Sequence, residues 1–187
     1  MTQIKISPWV GRFAPLVPNG GDVLDLACGG GRHTRLFLGL GHRVIALDRD
    51  IGGVADLASN PSVELVGTDL ETDNPWPFPD RKFSGIVVTN YLYRPLFPTH
   101  INSLAHEGNL IYETFGVGNE RYGHPRNPDF LLQNNELLDL LNGSLSVIAF
   151  EQGVVEGDPH PRDLQRVCAT KSTGPGTETE PLTLFTD

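Results

Sequence analysis

The stretch VLDLACGGGRHT, Val23 to Thr34, is an apolar run that stops at three consecutive glycines and resumes as a helical pattern. A strand feeding a tight glycine turn and then a helix places ligands at the carboxyl edge of an α/β sheet. Glycine permits positive φ and close approach of the backbone to a ligand. The register disfavours a dinucleotide. Counted from Gly29, the third glycine of G-x-G-x-x-G falls on Thr34. Counted from Ala27, the first position is alanine and the third is Arg32. No G-K-[ST] follows, so this is not a nucleoside-triphosphate loop. Asp25, two residues ahead of the turn, opposes an anion and suits a ligand with an ammonium or sulfonium charge. The alternative for Asp25 is an ordinary strand-end residue.

Outward from this stretch, apolar runs alternate with helical patterns, the signature of βαβ units and a parallel sheet. Ser7-Pro8 reads as an N-cap with proline at the first helical position, opening a short helix to about Leu16. DVLDLA is the first strand, RHTRLFLGLG a helix closed by Gly41, RVIALD the second strand, IGGVADLAS a short helix and VELVG the third strand. ETDNPWPFPDRK is a proline-rich loop. FSGIVVTN reads as a central strand buried on both faces. A helix is expected from Pro95 to about His106, and NLIYETF is the fifth strand. The segment GVGNERYGHPRNPDFLL is a long loop, and loops of this length are often functional. NNELLDLLNG is a helix stopped at Gly143, and SLSVIAFEQGVV with DLQRVCATK form an antiparallel hairpin at the sheet edge. The expected fold is thus a doubly wound, seven-stranded, mostly parallel α/β sheet with a C-terminal antiparallel hairpin. Residues 1–171 form one domain, and 172–187, rich in Thr, Gly and Pro, form a flexible acidic tail.

The chain carries 14 basic and 23 acidic residues, a formal charge of −9. Its Lys and Arg are scattered, which makes nucleic acid an unlikely partner. No apolar run approaches the ~20 residues of a membrane helix, and the start of the chain lacks the layout of a secretory signal. A cytoplasmic protein is expected. Cys28 and Cys168 are isolated, and no Cys/His spacing resembles a metal site, so reduced thiols and no metal are expected. Cys28, inside the turn, reads as a small buried residue rather than a nucleophile.

The run VLDLACGGG resembles the first motif of the class I S-adenosylmethionine (SAM)-dependent methyltransferases, with Ala27 where the family has its first glycine. Other positions extend the resemblance. Asp48, closing VIALD, stands where the family binds the ribose hydroxyls, and a carboxylate suits two hydroxyl donors. Asp69, with Leu70 beside it, stands where the family holds the adenine amino group. The likeness covers roughly Asp22 to Thr170. It implies SAM as cofactor, held by Asp25, Ala27, Cys28, Gly29, Gly31, Asp48, Arg49, Asp69, Leu70 and Asn90. Taken alone, Asp48 or Asp50 could cap the next helix, and Asp69 could be a turn residue.

Chemistry is expected beyond the fourth strand, in VTNYLYRPLF. Asn90 matches the start of the Asn/Asp-Pro-Pro-aromatic motif of amino-methylating relatives. Tyr91-Leu92 replaces its two prolines, which argues against adenine-N6 or glutamine methylation. Tyr91, Tyr93 and Arg94 are candidates for the acceptor pocket, with core packing the alternative for the tyrosines. Arg94 at a helix start is electrostatically odd, which suggests anion binding or carboxylate pairing. In ETFGVGNERYGHPRNPDFLL, Tyr122 and His124 are further catalytic candidates, and the segment resembles small bacterial methyltransferases related to tellurite-resistance proteins. Residues 116–130 are expected to form a lid over the acceptor, or else a structured surface loop. The activity expected is methyl transfer to a small molecule, an anion or soft chalcogen species among the candidates. The alternatives are an RNA or protein acceptor, a non-catalytic SAM-binding protein, and a nicotinamide-dependent oxidoreductase, which the glycine register opposes.

Overall fold

The computed structural model describes residues 5–141, 143–157 and 160–172. The acidic tail expected over 172–187 lies, beyond Ser172, outside the described residues. Seven strands form one sheet in the order β3-β2-β1-β4-β5-β7-β6. They are β1 (Asp22–Leu26), β2 (Arg43–Asp48), β3 (Val63–Gly67), β4 (Phe83–Thr89), β5 (Leu104–Phe115), β6 (Ser146–Val155) and β7 (Arg162–Thr170). The first five run parallel, and β7 lies antiparallel between β5 and β6. This is the expected architecture, reversed hairpin included.

Among the described residues four helices, α1 (Pro8–Phe13), α2 (Arg32–Gly39), α3 (Phe97–Ser103) and α4 (Glu136–Leu141), cover the two faces. Successive strand residues point to opposite faces, and the apolar runs divide accordingly. Leu24, Ile45, Ile86, Leu110 and Tyr112 pack with Phe97 of α3 and Leu137 of α4. Val23, Val44, Val87 and Ile111 pack on the other side with Trp9 of α1 and Phe37 of α2. Asp25 shares the parity of Val23, and Glu113 that of Ile111. Both carboxylates therefore enter the α1/α2 side.

Register sets the site. Leu26 pairs with Leu47 and with Val88, Asp48 with Gly67, and Thr89 with Glu113. The residues at and just beyond the strand ends, Ala27, Asp48, Thr68, Asn90 and Thr114, therefore line up along one edge.

Two elements differ from expectation. The helix expected from Pro95 to His106 is a 3-10 turn at Arg94–Leu96 followed by α3, and β5 begins at Leu104. A backbone irregularity explains this: Glu107 has φ 61°, and β4–β5 pairing shifts register between Phe83 and Gly85. IGGVADLAS forms 3-10 turns over Ile51–Leu57. Two glycines weaken an α-helix there, and Gly53 is needed for close approach, because a Cβ on it would lie 2.7 Å from the Gly29 carbonyl oxygen.

Candidate active site

The chain turns sharply after β1. Ala27, Gly29 and Gly31 all have positive φ, 54°, 52° and 70°. Gly31 N–H donates to the Cys28 carbonyl at 2.8 Å, and Cys28 N–H to that of Leu47 at 3.1 Å. Gly31 leaves no room for a side chain, because a Cβ there would clash with Val54 Cγ1. Ala27 adopts the left-handed conformation despite its methyl group, at a cost of roughly 1–2 kcal/mol. Gly29 N–H donates to Asp48 Oδ2 at 2.9 Å, and Asp50 N–H to Asp48 Oδ1 at 3.0 Å. Asp50 caps the following 3-10 turn by accepting from Gly52 N–H at 2.8 Å. The two acids thus divide their work: Asp50 caps, and Asp48 holds the glycine turn.

A cavity of about 590 Å³ opens along this edge. The turn contributes Ala27, Cys28 and Gly29, the end of β2 gives Asp48 and Arg49, and the segment after β3 gives Asp69 and Leu70. Asn90 and Tyr91 close it beyond β4. Asn90 also has positive φ, 57°, and its N–H donates to the Glu113 carbonyl at 2.9 Å. The charged residues of the wall are Asp48, Asp69 and Glu71 against Arg32 and Arg49, an excess of acid. Burial first, and then Asp25 and Asp48, push the Cys28 thiol up to about 12, so it stays protonated and unreactive near neutral pH.

Asp25 and Gly31 do not line this cavity. Asp25 is 2% exposed and accepts from Thr34 Oγ1 at 2.6 Å. Its carboxylate lies beneath the start of α2, a helix with no acid in its first turn and no side-chain cap. A carboxylate is favoured near that end. Burial raises the Asp25 pKa to about 6, although the Thr34 hydrogen bonds and Arg32 oppose the shift. Strand parity explains why the acid expected to face a cationic ligand instead anchors α2. Gly31 shapes the turn from behind.

The catalytic candidates separate into three places. Tyr91 lines the cavity beside Glu71. Burial, then the Glu71 carboxylate, raise its pKa, so the phenol is neutral at physiological pH. Tyr112 Oη donates to the Tyr91 carbonyl at 2.8 Å. Tyr93 and Arg94 line neither this cavity nor the next. Arg94 Nη1 donates to the Asp129 carbonyl at 2.7 Å, and its Nη2 to the Leu131 carbonyl at 2.9 Å and to Glu136 Oε2 at 3.0 Å. The cation at the helix start is a carboxylate partner, and four of its five donors are already engaged. Tyr122 and His124 line a second cavity of about 400 Å³.

That second cavity meets the first at Arg32 and Phe115, which line both. A buried polar ridge runs along it. Ser7 Oγ donates to Glu113 Oε1 at 2.9 Å, and Ser7 N–H donates to His33 Nε2 at 3.2 Å. The acceptor role of Nε2 places the His33 proton on Nδ1, 3.5 Å from Thr89 Oγ1. Burial, then the adjacent Arg32, lower the His33 pKa to about 3, keeping the ring neutral. Arg32 was not among the residues expected at the site, although its position at the start of α2 makes it, like Arg94, a cation at the positive end of a helix. Ser7, Glu113 and Arg166 carry no such signal, because long-range pairing assembles them.

A sheet of this order, with β7 reversed and a cleft after β1, defines the chain as having the class I methyltransferase fold. Similar solved structures are methyltransferases. TehB from Haemophilus influenzae superposes with a TM-score of 0.75 at 16% identity over 90% of this chain, which spans 63% of TehB. The 1,6-didemethyltoxoflavin-N1-methyltransferase of Burkholderia thailandensis, with S-adenosylhomocysteine bound, gives 0.63 at 21% identity, covering 88% of this chain and 76% of that one. The glycopeptide N-methyltransferase MtfA, complexed with SAM, gives 0.59 at 22% identity, covering 86% and 91%. No protein-family model and no curated protein matches the sequence. Among the described residues no helix is long and apolar enough to cross a membrane.

Proposed function

We propose that the chain is a methyltransferase that takes its methyl group from SAM and delivers it to a small-molecule acceptor. One observation carries this reading: Asp48 and Asp69, leaving adjacent parallel strands, border one cavity with the glycine turn. The residues fit the cofactor. The space beyond Gly29 is open where a Cβ would stand, so backbone can approach a ligand. Asp48 suits the two ribose hydroxyls, and Asp69 with Leu70 the purine edge. Tyr91 and Leu92 add apolar wall. The acid excess suits a sulfonium rather than a pyrophosphate. The cavity volume lies within the ~300–1,000 Å³ of ligand sites.

When bound, SAM supplies an electrophilic methyl: an acceptor lone pair forms the new bond as the carbon–sulfur bond breaks, its electron pair staying on sulfur as a neutral thioether, and any acceptor proton passes to solvent or a base. The chain's own contribution is alignment. Tyr122 and His124 belong to the acceptor side. The loop 116–130 acts as a lid, since Tyr122 and His124 wall the second cavity while Pro125 and Phe130 wall the first.

Calorimetry with SAM, S-adenosylhomocysteine and NAD tests the reading. Binding of both sulfur nucleosides and not NAD is expected, followed by label transfer from methyl-labelled SAM into a low-molecular-weight fraction of cell extract. Indifference to SAM at millimolar concentration would refute the cofactor. Tight binding without turnover on any fraction would leave a SAM-binding protein.

A further inference from the structure

The second cavity has a charge that the chain as a whole does not. Its charged lining is Lys5, Arg32, Arg162 and Arg166 against Glu113 and Glu156, in a chain of formal charge −9. The two carboxylates are unequal. Glu113 is 3% exposed and already accepts from Ser7 Oγ, with Arg166 Nη1 3.5 Å away. Glu156 is exposed at the rim. Among the described residues, no ion pair involves Arg32 or Arg162. Arg32 donates to the Lys5 carbonyl at 3.2 Å and to Thr89 Oγ1 at 3.3 Å, which leaves donors of its planar fork unused. Arg166 is held at 13% side-chain exposure between Glu113 and Glu151, with its guanidinium 5.4 Å from the centre of the Trp9 ring. A concave wall of guanidinium groups attracts and orients an oxyanion by paired donors. Low-dielectric walls focus that attraction despite an acidic exterior.

We infer that the second cavity takes the methyl acceptor by its negative charge: the acceptor is a small organic anion, a carboxylate or phosphate, gripped by Arg162, Arg166 and Arg32. The inference rests on the reading that the first cavity holds SAM. Arg162 and Arg166 hold the anionic end on β7, and Arg32, shared by both cavities, brings the reacting end to the junction. His124 and Tyr122 close the same chamber from the loop. The acidic first cavity and the basic second one thus sort a cationic cofactor from an anionic acceptor.

Benzoate and phenyl phosphate are the probes, with benzamide as the uncharged control. Each is titrated calorimetrically at constant ionic strength into wild type, Arg162→Gln, Arg162→Lys and Lys82→Gln. S-adenosylhomocysteine is titrated into the same proteins as a separate arm. Both anions are expected to bind wild type better than benzamide does. Arg162→Gln should weaken them at least about tenfold, as loss of a charge-assisted pair does, and Arg162→Lys should recover part. Lys82→Gln, the same charge change at the far end of β4, should change nothing, and S-adenosylhomocysteine should bind all four proteins alike. The stronger probe tells carboxylate from phosphate. Equal binding of the anions by wild type and Arg162→Gln, or of benzamide and benzoate, overturns the inference. So does failure of both anions on a protein that binds S-adenosylhomocysteine. Arg162-dependent anion binding by a protein that ignores S-adenosylhomocysteine leaves the anion site standing and overturns the cofactor reading alone.

Discussion

The N–H of Gly29 donates to Asp48 Oδ2 across 2.9 Å, tying the turn after β1 to the end of β2. The same carboxylate borders the cavity. In the proposed function it acts twice, holding the turn and offering its remaining lone pairs to the cofactor. Asp48→Ala should weaken S-adenosylhomocysteine about 10- to 100-fold, as loss of hydrogen bonds to a charged group does. Asp48→Asn, which keeps an acceptor oxygen, should cost less. Calorimetry measures both, and wild-type affinity in Asp48→Ala would remove this residue from the site.

Ala27 occupies a left-handed position, φ 54°, where the resembling family has glycine. Ala27→Gly relieves a strain of roughly 1–2 kcal/mol but adds freedom to the unfolded chain, opposing the gain by about 0.4–1 kcal/mol. A net stabilisation of about 0.5–1 kcal/mol is expected, a rise in Tm of a few degrees for a chain of this size. Thermal melting checks it. A lower Tm would mean that the packing of the Ala27 methyl against the core outweighs the backbone strain.

The fold was legible because the strands carry its signature locally. FSGIVVT is an apolar run buried on both faces, DVLDL carries Val23, Leu24 and Leu26 into both layers, and the glycines after β1 mark the ligand edge without help from the rest of the chain. The places of Asp48 and Asp69 on the cavity wall were legible for the same reason, since Asp48 ends β2 and Asp69 follows the end of β3 by two residues. Asp25 was not placed correctly, because facing the cavity or the underside of α2 depends on strand parity against helices that the sequence does not position. Arg94 stands out in the sequence as a cation at a helix start, but its partner Glu136 lies 42 residues away. The second cavity is the extreme case. Its wall joins the start of α1, the end of β5, the end of β6 and the start of β7, so only folding assembles its charge.

Two buried histidines make the fold acid-sensitive. His100 is fully buried between Phe97 and Tyr112, with neither ring nitrogen hydrogen-bonded. Burial lowers its pKa from 6.5 to about 4, and that of His33 falls from 6.5 to about 3. A lowered folded-state value means that the unfolded chain takes up protons first. Stability is full above pH 6.5 and is lost as pH falls toward 4. Asp25, raised from 3.8 to about 6, acts oppositely, because its folded state binds the proton first and gains on acidification. Between about pH 6 and 4 these three groups leave one excess proton on the unfolded state, a loss of about 1.4 kcal/mol per pH unit. His100→Leu removes one of the two histidine terms and an unsatisfied polar group. It should raise stability at pH 7 by about 1 kcal/mol or more and flatten the loss between pH 6.5 and 4. Urea titrations at several pH values check this, and parallel profiles for the two proteins would contradict it.

Arg94 is the clearest separation of a structural cation from a binding one. Its guanidinium meets Glu136 and the carbonyls of Asp129 and Leu131, and so fixes the segment that carries Phe130 to the cavity wall. Arg94→Met leaves the Glu136 carboxylate, 18% exposed in its side chain, without its partner. Glu136→Gln leaves the guanidinium facing a neutral amide. Each change should lower stability by about 1–3 kcal/mol, the usual loss when a charged hydrogen-bond partner is removed. Because both break the same pair, the double variant should be less destabilised than the two single losses together, by about 0.5–3 kcal/mol in a double-mutant cycle. Affinity for benzoate should stay at the wild-type value in all three, since Arg94 lines neither cavity. Unchanged melting of Arg94→Met together with weaker benzoate binding would reverse this assignment and return Arg94 to the acceptor site.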